Sequence, residues 1–176
     1  MSEKTMARQI EIVIPCDGTP LAGTLFSSEE SSAIVVFVHG SGSGRFSPRN
    51  QYVSHLLHPA GFATLLLELL SPEEKAIDQY TRHLRFDIHL LTRRVAAALD
   101  WLADDARFHD CPVGLAGAST GAAAALAAAA ERPQLVRAIV SGGGTARPYV
   151  EEERGGALRS RGSERRPGFR FRYKHP

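Results

Sequence analysis

The segment Gly117–Gly121 constrains the fold of this chain more than any other. It reads Gly-Ala-Ser-Thr-Gly, after the short apolar run Val113–Ala116 and at the start of the Ala-rich run Thr120–Glu131. The first run is typical of a buried strand, and the second of a helix that ends before a proline. A strand-to-helix turn projects a serine hydroxyl from the edge of a sheet, and small flanking residues let the strand and helix approach closely. The pattern predicts a nucleophilic Ser119; the alternative is that Ser119 only caps the helix and the glycines serve packing.

Strands and helices alternate along most of the chain. Apolar or alternating runs predict strands over 9–14, 21–26, 33–38, 62–67, 113–116 and 138–140. Helical spacing and stop signals predict helices over 50–58, 87–103 and 120–131, with a short helix beginning at Ser71 and Pro72. Such alternation predicts an α/β protein with a mostly parallel sheet.

A second glycine-rich segment, His39–Arg45, follows the third predicted strand. A dinucleotide fingerprint would need glycine where Arg45 stands, and a phosphate loop would need a lysine that the segment lacks. The remaining interpretation is a His-Gly loop whose Ser41 amide helps to hold an oxyanion, with the Thr120 amide as the second donor. His39 leaves a buried strand and is expected to be structural rather than a general base.

Both motifs together resemble the α/β-hydrolase superfamily, and more closely its dienelactone-hydrolase-like branch. The resemblance covers residues 9–147 and rests on VVFVHGSGSGRFSPRNQYV, GFATLLLELLSPEE, LRFDIHLLTRRVAAALDWL and VGLAGASTGAAAAL. It implies a three-layer fold in which His39, Gly40, Gly117 and Gly121 support the site. Related domains also occur joined to phosphoribosyltransferases, but the chain has no such phosphate-binding signature. Dienelactone hydrolases use a cysteine nucleophile where this chain has Ser119, so the dienelactone substrate is not carried over.

The sequence departs from the family after Ser119. The triad order in this fold is Ser, Asp or Glu, then His, yet no aspartate follows Ser119, and the one later histidine is His175. The last strands of the family have no counterpart in the sequence. We therefore expect a serine hydrolase acting on an ester, lactone or thioester, impaired by the absent acid and base. The alternative is a catalytically dead relic that acts as a small-molecule binding module.

The end of the chain differs in composition from the rest. Residues 151–176 hold 8 basic and 4 acidic residues, whereas the whole chain has a net charge of only +2. The apolar periodicity stops after Arg147, so we expect a truncated hydrolase domain over 1–147 and a basic, disordered tail over 148–176. Such an abrupt change is also what an out-of-frame reading or a truncation would give. A nucleic-acid-binding arm is the less favoured interpretation.

Few other features suggest chemistry. Glu68, near the end of the fourth strand, is a candidate for positioning substrate or a loop, while Glu73, Glu74 and Asp78 are expected to form a solvated helix face. The two cysteines have no metal-like spacing, so no metal and no organic cofactor are predicted. We expect a cytoplasmic protein with a small-molecule acyl substrate, no membrane span and no nucleic-acid partner. The sequence does not indicate an oligomeric state.

Overall fold

A computed structural model describes residues 8–142 of the chain. Its strands are β1 (Arg8–Ile14), β2 (Leu21–Ser27), β3 (Ala33–Val38), β4 (Phe62–Leu67), β5 (Val113–Ala118) and β6 (Val136–Gly142). Its α-helices are α1 (Pro48–Leu57), α2 (Pro72–Thr81), α3 (Ile88–Asp104) and α4 (Thr120–Glu131). Single 3-10 turns follow at His58–Ala60 and Leu84–Phe86.

The six strands form one sheet in the order β1-β2-β4-β3-β5-β6. β3, β4, β5 and β6 pair in parallel, while the β1–β2 hairpin adds two antiparallel pairings at one edge. The predicted α/β class with a mostly parallel sheet is confirmed. The α1 helix begins at Pro48, two residues earlier than predicted, because proline is well suited to the first turn of a helix. β6 extends beyond the predicted 138–140 at both ends.

Strand β3 shows how the sheet is covered on both faces. Ile34, Val36 and Val38 lie in the larger core, which α3 and α4 complete with residues such as Leu99 and Ala125. Phe37 points to the opposite face, where Phe26 and Leu66 are buried beside Leu57 of α1. Because successive side chains of a strand alternate between faces, one apolar run serves both cores. The result is the expected three-layer arrangement of helix, sheet and helix.

The face under α1 is covered less completely towards β6. Val140 of β6 is 50% exposed, and Val53 and Leu56 of α1 are also largely exposed. Within residues 8–142, β6 pairs with β5 alone. Among the described residues, this edge strand therefore leaves a half-exposed valine and unpaired backbone groups.

A small polar cluster fastens α1 to the sheet. The Ser54 hydroxyl of α1 lies 2.6 Å from the Thr64 hydroxyl of β4, and both residues are fully buried. Nε2 of His58 lies 3.0 Å from Thr64 Oγ1 and 3.2 Å from Ser54 Oγ. Burial of the ring, with His55 nearby, lowers the pKa of His58 below its ordinary 6.5. The cluster therefore favours the neutral imidazole.

Acidification should weaken this cluster. Since the pKa of His58 is lower in the folded chain, unfolding takes up a proton, and the free energy of unfolding should fall as the pH falls through and below 6.5. In His58→Gln this part of the pH dependence should disappear, as chemical denaturation between pH 7.5 and 5.5 would show. His83→Gln, at an exposed ring, is the control. An unchanged slope in His58→Gln would contradict the assignment.

Candidate functional site

Ser119 stands alone between strand β5 and helix α4. Its backbone angles are φ 52° and ψ −123°, a left-handed conformation that is uncommon for a residue with a side chain. The side chain is exposed and makes no capping hydrogen bond to the helix. The alternative that the Ser119 hydroxyl caps the helix therefore has no support in the geometry. Strained backbone of this kind is concentrated at functional sites.

The two glycines around Ser119 permit a contact that no side chain would allow. A Cβ on Gly117 would lie 2.7 Å from Cα of Ala122, and a Cβ on Gly121 would lie 2.2 Å from the carbonyl oxygen of Val38. Both obstacles are backbone atoms, which cannot rotate away. The glycines thus let α4 begin directly against the end of β3.

The His39–Gly44 loop lies over the same turn. Val38 pairs with Gly117 in the parallel register, so the loop after β3 and the turn after β5 leave the sheet side by side. A Cβ on Gly40 would lie 2.7 Å from the Ala118 carbonyl oxygen and 3.1 Å from Cβ of Ser119. The Ser41 amide donates to Oγ1 of Thr120 at 3.0 Å. The structure thus brings together the seven candidate site residues, His39, Gly40, Ser41, Gly117, Ser119, Thr120 and Gly121.

The ring of His39 is buried, and both of its nitrogens contact groups other than Ser119. Nδ1 lies 3.0 Å from the Gly40 carbonyl oxygen, and Nε2 lies 3.1 Å from the Leu69 amide nitrogen. Nε2 also lies 2.9 Å from Oε1 of Glu68, an ion pair when the imidazole is protonated. With both nitrogens engaged in this way, His39 holds the loop to the segment after β4.

Glu68 is a buried carboxylate that joins three parts of the site. Its Oε2 accepts from the Arg45 amide at 3.3 Å and from Nζ of Lys75 in α2 at 2.7 Å, while Oε1 faces His39. Burial by itself would raise the pKa of this carboxyl group, but the adjacent His39 ring and the Lys75 ammonium outweigh burial and lower it. Glu68 therefore stays ionised and fixes both ends of the His39–Gly44 loop.

A cavity of about 260 Å³ opens beside the loop. Leucine side chains and the charged side chains of Lys75, Asp78 and Arg85 form part of its walls. Lys75 is paired with Glu68, and Arg85 lies 2.5 Å from the Asp78 carboxylate. The lining residues are His39, Gly40, Ser41, Gly42, Ser43, Leu69, Leu70, Lys75, Asp78, Arg85, Leu91 and Thr120.

The expectation of a solvated acidic face on α2 is wrong for two of its three residues. Asp78 is 2% exposed and accepts hydrogen bonds from the Leu84 amide and the Arg85 side chain. Glu74 pairs with Arg94, which is 3% exposed and also donates to the Leu69 carbonyl oxygen at 2.8 Å. Only Glu73 is exposed. Helical spacing alone did not reveal these pairs, because each basic partner lies in a later element.

Residues 8–142 hold no group of three or more His, Cys, Asp or Glu side chains placed to bind a metal ion. In the same range, no helix has the length and apolar character needed to cross a membrane. The basic tail predicted over 148–176, and His175 within it, lie outside the described residues.

Solved structures of hydrolases share this architecture. A dienelactone hydrolase from Anabaena variabilis matches with a TM-score of 0.76 and 49% sequence identity, over 78% of this chain and 64% of that one. Est1E from Butyrivibrio proteoclasticus matches with a TM-score of 0.59 and 22% identity, over 73% of this chain and 48% of that one. The protein therefore has the α/β-hydrolase fold. Within that class, its fold is dienelactone-hydrolase-like.

Curated relatives are much longer than the matched segment. Two Mycobacterium tuberculosis proteins, each described as "Putative phosphoribosyl transferase", are 49% identical over 137 residues, which is 78% of this chain and 30% of theirs. The chain thus spans under a third of the curated relatives that it matches. No protein-family model matches the chain.

The close contact at Gly117 gives a stability prediction. Gly117→Ala should lower the free energy of unfolding by about 1–3 kcal/mol, because the new methyl group meets the backbone of Ala122. Gly114→Ala in the same strand is the matched control, since its Cβ would meet nothing nearer than 3.8 Å. Urea denaturation of both variants measures the difference. Equal effects would show that the contact is not what requires Gly117.

The buried charge of Glu68 gives a second prediction. Glu68→Gln should lower the free energy of unfolding at pH 7 by about 1–3 kcal/mol, because Lys75 loses its partner. Since the pKa of Glu68 is lowered on folding, the deficit should be full above pH 4.5 and shrink as the pH falls below it. Glu30→Gln, at an exposed loop, should change stability by less than about 0.5 kcal/mol. A deficit that persists unchanged at pH 3 would contradict an electrostatic origin.

Proposed function

We propose that this chain is a serine hydrolase that acts on an ester, lactone or thioester, with Ser119 as its nucleophile. The observation that carries the proposal is the exposed, uncapped side chain of Ser119 at a left-handed φ, directly under the His39–Gly44 loop. Holding a residue at such backbone angles costs stability, and a serine with only a structural role would not need these angles. The hydrolase fold of the similar structures supports the same conclusion.

The reaction follows from this placement. The Ser119 oxygen attacks the carbonyl carbon of the substrate, a new C–O bond forms, and the carbonyl π electrons move to the oxygen. The hydroxyl proton passes to water, and the leaving group takes up a proton from water as the carbonyl re-forms. A water molecule then attacks the acyl-serine carbonyl, which releases the acid and restores the hydroxyl. Helix α4 begins at Thr120, so its first free N–H groups point at the developing negative charge.

The base is the weak part of the site. In residues 8–142 no imidazole is hydrogen-bonded to Ser119; His39, His58, His83 and His109 have their partners elsewhere. A serine hydroxyl without such a base is a weak nucleophile, although an oxyanion hole alone preserves part of the rate. We therefore expect slow acylation of Ser119 rather than the rate of a complete triad.

The cavity beside the loop would hold the acyl part of the substrate. Its volume of about 260 Å³ and its leucine-lined wall suit a small molecule. A small-molecule acyl substrate, a cytoplasmic location and the absence of a nucleic-acid partner remain predictions from the sequence.

A fluorophosphonate probe tests the nucleophile directly. The full chain should be labelled at Ser119, identified by peptide mass spectrometry, and Ser119→Ala should remove the label. Ser32→Ala is the control, since Ser32 is an exposed serine outside the cavity. It should retain labelling.

An unlabelled wild-type chain would overturn the hydrolase proposal and favour the binding module. In that case a short-chain ester should still bind without turnover. Its affinity, measured by NMR titration, should be unchanged in Ser119→Ala.

A further inference from the structure

The Ser41 amide is not a free donor. It already donates to Oγ1 of Thr120, with 3.0 Å between nitrogen and oxygen. An oxyanion needs donors at about 2.7–3.1 Å from its own position. Thr120 Oγ1 occupies the position in front of the Ser41 amide that an oxyanion would need. The Ser41 amide can therefore act on a substrate oxygen only if the Thr120 hydroxyl moves aside or itself donates to that oxygen.

The Thr120 hydroxyl has a donor to spare. A threonine hydroxyl carries one O–H donor and two acceptor lone pairs. One lone pair accepts from Ser41, and among residues 8–142 the hydroxyl has no other hydrogen-bond partner. Ser41 and Thr120 both line the cavity in which the proposed substrate would sit.

We propose that the Thr120 side chain is a catalytic residue and the second donor of the oxyanion hole. In this chain of hydrogen bonds the Ser41 N–H donates to the Thr120 hydroxyl oxygen, and the Thr120 O–H donates to the oxyanion. This inference rests on the proposed hydrolase function. When the substrate oxygen becomes negative, it accepts from the Thr120 hydroxyl and from the Thr120 backbone amide. The bond from Ser41 polarises the hydroxyl and strengthens its donation, as in other hydrogen-bond chains. No proton is transferred along this chain.

The geometry distinguishes this role from a blocking role. If the hydroxyl only occupied the Ser41 amide, replacing it by a methyl group would remove no donor from the oxyanion, and acylation would be no slower. If the hydroxyl donates, the same replacement removes a donor and slows acylation. Whether acylation slows therefore decides between the two.

The experiment compares Thr120→Ser, which keeps the hydroxyl, with Thr120→Val, which keeps the branched shape without it. Fluorophosphonate labelling of Ser119 in Thr120→Val should slow by about 100-fold, the usual effect of losing one oxyanion donor. Thr120→Ser should stay within about 3-fold of the wild-type chain because it keeps that donor. A Thr120→Val variant that labels as fast as wild type or faster would overturn the proposal.

A second measurement does not depend on Ser119 as a nucleophile. Acetate, whose carboxylate resembles the oxyanion, is titrated into each ¹⁵N-labelled full-length chain while the Ser41 and Thr120 amide signals are followed. We expect saturable shifts in wild type and Thr120→Ser and their loss in Thr120→Val, with the rest of the spectrum unchanged as evidence of folding. Equal shifts in all three chains, or none in wild type, would overturn the proposal. If wild type is never labelled by the probe, the hydrolase function fails, and the acetate result still decides the role of Thr120.

Discussion

The contact between helix α4 and the end of strand β3 is the constraint on which the site depends. Gly121 lies so close to the carbonyl oxygens of Val38 and His39 that any Cβ would overlap them. This contact sets Ser119 at the edge of the sheet and places the His39–Gly44 loop above it. The left-handed φ of Ser119 follows, because the chain must reverse from strand to helix within one residue. The positions of Ser119, the loop and the helix start therefore share one geometric cause.

The buried charge of Glu68 holds the His39–Gly44 loop, which the backbone contact alone does not fix. Glu68 binds the loop through the Arg45 amide, α2 through Lys75, and the imidazole of His39. A carboxylate taken out of water needs compensating partners, and here two lie at the ends of the loop and one lies in α2. The loop is thus held at both ends by a single side chain, which explains why a glycine-rich segment has a defined course beside the cavity.

The sequence was sufficient to predict the strands, the helices and the strand-to-helix turn at Ser119, but not the network of buried charged side chains. The β-branched run 33–38 and the apolar run 62–67 matched their strands, since such runs are typical of parallel strands buried on both faces. The start of α1 was missed because its first residues have no apolar periodicity, and only Pro48 marks it. The charge of Asp78 leads to the prediction that its side chain is exposed to solvent. Its partner Arg85 lies beyond the end of α2, a pairing that helical spacing does not reveal.

Arg94 extends these ties into the wall of the cavity. It is buried in α3, donates to the Leu69 carbonyl oxygen, and pairs with Glu74 at the start of α2. The segment that carries Leu69, Leu70 and Lys75 is therefore anchored to the main core before any ligand arrives. A molecule that enters the cavity does not have to order this wall, so little conformational entropy is lost on binding. A rigid wall of this kind selects between molecules by excluding those whose shape does not fit the cavity, rather than by closing around those that fit.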